Sequence, residues 1–338
     1  MPKRRLAALA IAASAALMLS ACAASNDAPA TDSAGSSGSV AGQAAFPRTI
    51  QVPAGRGAEA AELTLESAPE SIAALDYESA EVVAELGLAD RLVLVPEAVT
   101  NPALGGHIDE MEQVPNTIPV AMELNAETVI ALAPDLVIMS PRHGAESSIG
   151  GVLQHSGVPA LLLPDVWSSV DSVTANIDLI GQATGADDEA DALASQLAEG
   201  LEASDSDADS AAAESGPRVL VLTNQAGRPF ITAGHAFPLE MLSLAGARSV
   251  SGELGIDITG PISAEQIVEA APDGILLVDM NGSGDRIFAE LLANPAVAAL
   301  PGAQQTMLVQ GRDVQALGLT STVDGLDRLR GWVQTLEG

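Results

Sequence analysis

An α/β fold of two lobes of related design is the architecture this sequence predicts, and three observations carry it. The first is a near-repeat: Asn125-Ala-Glu-Thr-Val-Ile-Ala-Leu-Ala-Pro-Asp-Leu-Val-Ile-Met139 returns as Ser263-Ala-Glu-Gln-Ile-Val-Glu-Ala-Ala-Pro-Asp-Gly-Ile-Leu-Leu277. The second is a shorter pair in the same order, Glu81-Val-Val-Ala-Glu-Leu-Gly87 and Glu240-Met-Leu-Ser-Leu-Ala-Gly246. The third is size: 338 residues at 47% hydrophobic composition suffice for two medium cores.

Each long copy opens with a side-chain oxygen able to cap a helix, Asn125 or Ser263, and a first-turn Glu that suits the positive helix terminus. Apolar residues follow at helical spacing, Ala-Pro-Asp stops the helix, and a short apolar run reads as a buried strand. The shorter pair reads as apolar helix ends closed by glycine.

Taken in order, residues 1–21 read as a secretory signal. Lys3, Arg4 and Arg5 precede an apolar run from Leu6 to Leu19, and Leu19-Ser-Ala-Cys22 is a lipobox. Cys22 is the single cysteine, so no internal disulfide forms, and it is the expected lipid attachment point. Acyl chains there would anchor the protein to a bilayer without spanning it. Residues 22–61, rich in Ala, Ser, Gly, Asp and Pro, read as a flexible tether.

The first lobe is expected over 62–186. It holds a strand near Ser71–Leu75, a turn at Asp76-Tyr77, a helix to Gly87 and a strand Arg91–Val95. A loop with His107, the first long motif, a turn Ser140–Gly144, a helix to His155 and a strand Pro159–Leu163 follow. Such alternation implies a largely parallel sheet. Two helical patterns separated by Thr184–Asp187 come next. The second, 187–203, has no strand beside it and is the candidate bridge between lobes. Residues 204–216 form an acidic loop; Asp205, Asp207 and Asp209 lack the closing Glu of a calcium loop. The second lobe, 217–338, runs through a strand Arg218–Leu222, a return strand near Phe230–Thr232, the Gly246 helix and the second motif. A strand Thr306–Val309 and a final helix Thr322–Leu336, bearing Trp332, complete it.

Charge excludes whole classes of partner. Without residues 1–21 the chain keeps 11 arginines against 45 acidic side chains, a formal charge of −34, which repels nucleic acid and anionic headgroups. Catalytic motifs are absent too: there is no phosphate loop, no His-Glu-x-x-His and no paired-cysteine site, and four His and one Tyr make a thin acid-base inventory. Ligands of open α/β sheets gather at the carboxyl ends of strands. Those loops offer Tyr77, Glu97, Arg142, His143 and Trp167 in the first lobe, and Arg228, His235 and Asn281 in the second.

The run from Tyr77 to Arg91, with Leu124–Ile138, resembles the lipid-anchored solute-binding proteins of ABC importers for iron complexes and cobalamin, and the likeness extends from Ser71 over the rest of the chain. It implies two Rossmann-like lobes joined by one long helix, a ligand cleft between them, no enzymatic activity and no intrinsic cofactor. The implied cargo is haem, a ferric siderophore or cobalamin. The implied setting is a monomer on the extracytoplasmic face of the cell membrane, docking on the transmembrane subunits of a permease through Glu127 and Glu265. His143 and His235, one per lobe, are candidate axial ligands for haem iron. Arg142 and Arg228 are the alternative, a clamp for carboxylate or catecholate oxygens of a siderophore. The tyrosine that several haem-binding members carry before the first motif is replaced here by Ile118-Pro-Val-Ala-Met122.

Overall fold

The computed structural model describes residues 45–55, 58–119, 125–141, 146–202, 215–225 and 227–337, and from Ala45 onward they belong to one compact unit. The signal, Cys22, Met122, Arg142, His143 and nearly all of the acidic loop lie outside the described residues.

The strands in chain order are β1 (Arg48–Val52), β2 (Ala61–Leu65), β3 (Ile72–Ala74), β4 (Leu92–Pro96), β5 (Thr117–Ile118), β6 (Leu136–Met139), β7 (Ala160–Leu162), β8 (Arg218–Gln225), β9 (Arg228–Ile231), β10 (Arg248–Ser249), β11 (Gly260–Pro261), β12 (Gly274–Asp279) and β13 (Thr306–Gln310). The first lobe is a parallel sheet in the order β5-β4-β3-β6-β7. In the second, β10, β8, β12 and β13 run parallel in that order, and the antiparallel pair β9-β11 is added along the far half of β8. The sequence of β4-β3-β6-β7 thus recurs as β10-β8-β12-β13. In both lobes the order reverses at the first strand, β3 or β8.

Period two sorts the apolar residues. In β6, Leu136 and Ile138 join one core while Val137 and Met139 join another. In β12, Leu276 and Val278 face the first of these cores, and Ile275 and Leu277 a third. The outer faces are therefore separate, each covered by its own helices. The inner faces share one continuous core that also takes in Ile177, Ile180, Leu193 and Leu197. Those four come from the two helices between β7 and β8, Val170–Thr184 and Asp187–Gly200, which pack on each other. A shared core of this kind opposes large rigid-body motion of the lobes.

One boundary is corrected. β1 lies inside the segment expected to be a tether, and pairs with β2 from Arg48↔Leu65 to Val52↔Ala61. Ile50, Val52, Leu63 and Leu65 are buried on one side while Thr49 and Gln51 face water. The alternation is short and sits in Ala- and Gly-rich surroundings that dilute it. Arg48 then fixes the hairpin to the junction of the two helices. Its guanidinium bonds both Asp187 oxygens at 2.8 and 3.0 Å and the Gln182 carbonyl at 2.7 Å, and it lies over the Phe46 ring.

At that junction Gly185 has φ +79°, and a Cβ there would stand 2.9 Å from Phe46 Cε2. Gly185→Ala is expected to cost about 1–2 kcal/mol from the left-handed backbone alone. An unchanged urea midpoint would refute this.

Candidate functional site

The carboxyl ends of the sheets are built alike. Asp76 follows β3 and caps the helix Tyr77–Glu85, its Oδ1 accepting from the Ser79 N–H at 2.9 Å. Its Oδ2 accepts from the N–H of Ser140, the residue after β6, at 2.8 Å. In the second lobe Asn224, at the end of β8, accepts from the N–H of Met280, the residue after β12, at 2.6 Å. Asn224 also donates to Asp279 and Asn281. Each point where strand order reverses, the place such sheets bind ligands, is thus closed by one side chain bridging two strand exits.

The loops leaving these ends meet. The Arg312 N–H, just after β13, donates to the Ala103 carbonyl at 3.0 Å. Thr320 Oγ1 donates to Glu85 Oε1 at 2.7 Å, and a Cβ on Gly106 would stand 3.6 Å from the Gly318 carbonyl oxygen. Elsewhere between the lobes the Val170 N–H donates to Glu240 Oε1 at 2.9 Å. Burial raises the Glu240 pKa, the Val170 N–H lowers it, and nearby Asp171 raises it again.

The expected ligand residues separate on this frame. Tyr77 is half-buried in the first turn of its helix, and Glu97 is exposed at the exit of β4. Arg228 opens β9 opposite Gln225, at the carboxyl end of β8, with its guanidinium carbon 5.3 Å from the Phe230 ring centroid. Phe230 was not singled out from sequence, although alternation with Arg228 places it two residues along the same strand face. Asn281 is exposed, and its Oδ1 is occupied by Asn224 and Ser283.

Two residues lie elsewhere. Trp167, a candidate ligand residue of the loop after β7, is 4% exposed and belongs to the shared core, where its large apolar ring is removed from water. His235 is exposed, but β9 runs antiparallel to β8. After β9 the chain heads away from Gln225, with the Thr232 N–H on the Val221 carbonyl at 2.9 Å, and His235 follows beyond mid-sheet. His107, expected in a loop, pairs with buried Glu81 at 2.8 Å. His155 ends its helix as expected, bonded to the Gly151 carbonyl.

A cavity of 920 Å³ opens beside the exits of β12 and β13, lined by Asp279, Asp285, Asp313, Asp324 and Asp327 with Arg312 and Arg328. Its excess of carboxylates disfavours an anionic ligand. Among the described residues no three His, Cys, Asp or Glu come together as a metal site, and no helix is long and apolar enough to cross a membrane.

The long motifs share more than a helix and a strand. The helices are Ala126–Ala131 and Ala264–Ala270, with exposed Glu127 and Glu265 at the second position of each. Asn125 Oδ1 accepts from the Glu127 N–H, and Ser263 and Gln266 form a reciprocal capping box. The Glu265 carboxyl is held below its usual range by its own backbone N–H and by Ser263. Both motifs end on an alanine with positive φ, Ala133 at 48° and Ala271 at 40°. The Asp that follows clamps the start of the first strand. Asp135 accepts from the Glu70 and Ser71 N–H groups at 3.0 Å, and Asp273 from the Arg218 N–H at 2.8 Å.

The pattern that defines the periplasmic binding protein family matches residues 72–313. The chain is 28% identical over 221 residues to an uncharacterized ABC transporter substrate-binding lipoprotein, YvrC of Bacillus subtilis (strain 168). That match covers 64% of this chain and 66% of the relative, just under two thirds of its length. Among solved structures, the periplasmic haem-binding protein RhuT from Roseiflexus sp. RS-1 is similar in fold, with TM-score 0.65 and 23% identity over 80% of this chain and 99% of that one. A structure described as an ABC-type Fe3+-hydroxamate transport system from Saccharomonospora viridis DSM 43017 gives TM-score 0.62 and 20% identity over 85% of this chain and 99% of that one.

Proposed function

Because the chain belongs to the periplasmic binding protein family, a family of solute-binding transport components rather than enzymes, we propose that it captures an iron complex outside the cytoplasm and hands it to the transmembrane subunits of an ABC importer. It does so as a monomer held at the membrane through a lipid on Cys22. The two-lobe frame supports this reading, with strand exits converging from both sides. So do the names of the proteins it is similar to, an ABC transporter substrate-binding lipoprotein, a periplasmic haem-binding protein and an ABC-type Fe3+-hydroxamate transport system.

The observation that carries the ligand class is Arg228. It stands exposed at the exit of β8, and its guanidinium is steadied over Phe230. A stacked guanidinium keeps its N–H fork free for the oxygens of a carboxylate, hydroxamate or catecholate. Tyr77, Glu97 and Asn281 complete the rim, and a ferric siderophore is the cargo this chemistry favours. Haem would need His143, since His235 leaves the carboxyl edge.

Titration with a ferric trihydroxamate, followed by tryptophan fluorescence, tests this. Saturable binding should weaken roughly tenfold or more in Arg228→Ala, the loss of hydrogen bonds from a charged donor. Haemin should give no saturable Soret shift. A haemin shift abolished by His143→Ala would make haem the cargo, and binding of cobalamin alone would exclude both iron complexes. Glu127 and Glu265, exposed and equivalent in the two lobes, are assigned to docking on two permease subunits.

A further inference from the structure

The loop Asn101–His107 of the first lobe meets the second at Ala103 and Gly106. Behind it lies Glu81, on the helix Tyr77–Glu85, with no exposed surface. Glu81 Oε1 accepts from the Gly106 N–H at 3.1 Å, and Oε2 stands 2.8 Å from His107 Nδ1. Gly105 and Gly106 let the backbone lie against this carboxylate, since Cβ atoms there would come within 3.1 and 3.3 Å of its oxygens. The same loop carries the interlobe bond at Ala103 and the approach of Gly106 to Gly318. The second lobe answers with a segment in which Ala316 and Leu319 both hold positive φ, 55° and 39°, while almost fully buried. Nothing in ligand binding or docking uses Glu81 or His107.

We propose that the seam between the lobes is proton-linked: protonated His107, held by Glu81, fixes the loop Asn101–His107 against Gly311–Thr320, and loss of that proton loosens the seam. The groups facing His107 are Glu81 and Glu85 from the helix beneath it and Glu110 from its own turn. Neighbouring turns add Asp90, Arg91 and exposed Glu97, of which Arg91 is bonded to the Pro69 carbonyl. Across the seam the charged residues are Arg312 and Asp313. Asp313 is engaged by Arg328 at 2.8 Å and stands 3.9 Å from Arg312 Nε.

The hydrogen bond to Glu81 raises the His107 pKa, burial lowers it, and Glu81, Glu85 and Glu110 raise it further, with a net rise. Glu81 is also raised, by burial against the lowering effects of His107 and Gly106. A raised pKa in the closed seam means that closing takes up protons. The His107 contribution is complete below about 6.5 and is lost as pH rises through the raised value. The raised Glu81 pKa contributes with the same sign.

The Arg312 amide crosses the seam, so its hydrogen-exchange protection, corrected for intrinsic rate, reads the opening. In the full chain, protection should fall several-fold between pH 6 and pH 8.5. A core amide of β12, such as Leu276, should stay flat. His107→Gln and, as a second variant, Glu81→Gln should each flatten the Arg312 profile. The proposal fails if wild-type Arg312 protection is independent of pH, if it moves in parallel with Leu276, or if both variants keep the wild-type slope.

Discussion

Uptake should collapse when Glu127 and Glu265 are both replaced by arginine, while affinity for the iron complex stays at its wild-type value. Both side chains are exposed on the first turn of a short helix, and neither is among the residues assigned to the ligand. An exposed ion pair contributes little on its own. In the proposed docking each Glu meets a basic residue of a permease subunit, so reversal would set like charge against like in two places, and such juxtaposition costs several kcal/mol. A fall in uptake of roughly a hundredfold follows, with each single reversal intermediate. Salt should relieve part of the defect, because the interaction is screened. Uptake that survives the double reversal, or a matching loss of ligand affinity, would remove docking from these residues and leave them as partners of their helix dipoles.

The largest effect on stability is expected from Asp76→Ala. The carboxylate is 7% exposed and serves two buried N–H groups, those of Ser79 and Ser140. Alanine removes a helix cap and strands the Ser140 N–H, for a total of about 2–4 kcal/mol. Asp76→Asn keeps one acceptor oxygen and should recover about half of that loss. Urea unfolding of the two variants checks the pair. Equal midpoints for wild type and Asp76→Ala would mean that water replaces the carboxylate at no cost.

What was legible in the sequence was local. The capping residues Asn125 and Ser263, the first-turn glutamates and the glycine stops at Gly87 and Gly246 act within one turn of themselves, and they marked the elements and their repetition correctly. The function of Ala-Pro-Asp was legible only in part. It stops the helix, but its Asp clamps a strand start 64 residues away in one lobe and 55 in the other, and nothing in the motif names that partner. The Glu81–His107 pair, 26 residues apart, was hidden for the same reason. Trp167 misled because an aromatic after a strand can close a core as readily as line a cleft. His235 misled because strand direction, which decides the end at which a loop emerges, is a property of pairing and not of the strand itself. The β1-β2 hairpin was lost to composition.

The bridges at the strand exits also bear on how the chain finds its structure. Asp76 to Ser140 closes a loop of 64 residues, and Asn224 to Met280 one of 56. Loop-closure entropy grows only with the logarithm of length, so the two differ by about 0.1 kcal/mol. Neither lobe has a topological head start, and the order of folding falls to the order in which the chain emerges, the first lobe ahead of the second. The inner face of that first sheet must then wait, uncovered, for the two helices and the second sheet that complete its core. That interval is when the chain is most exposed to aggregation.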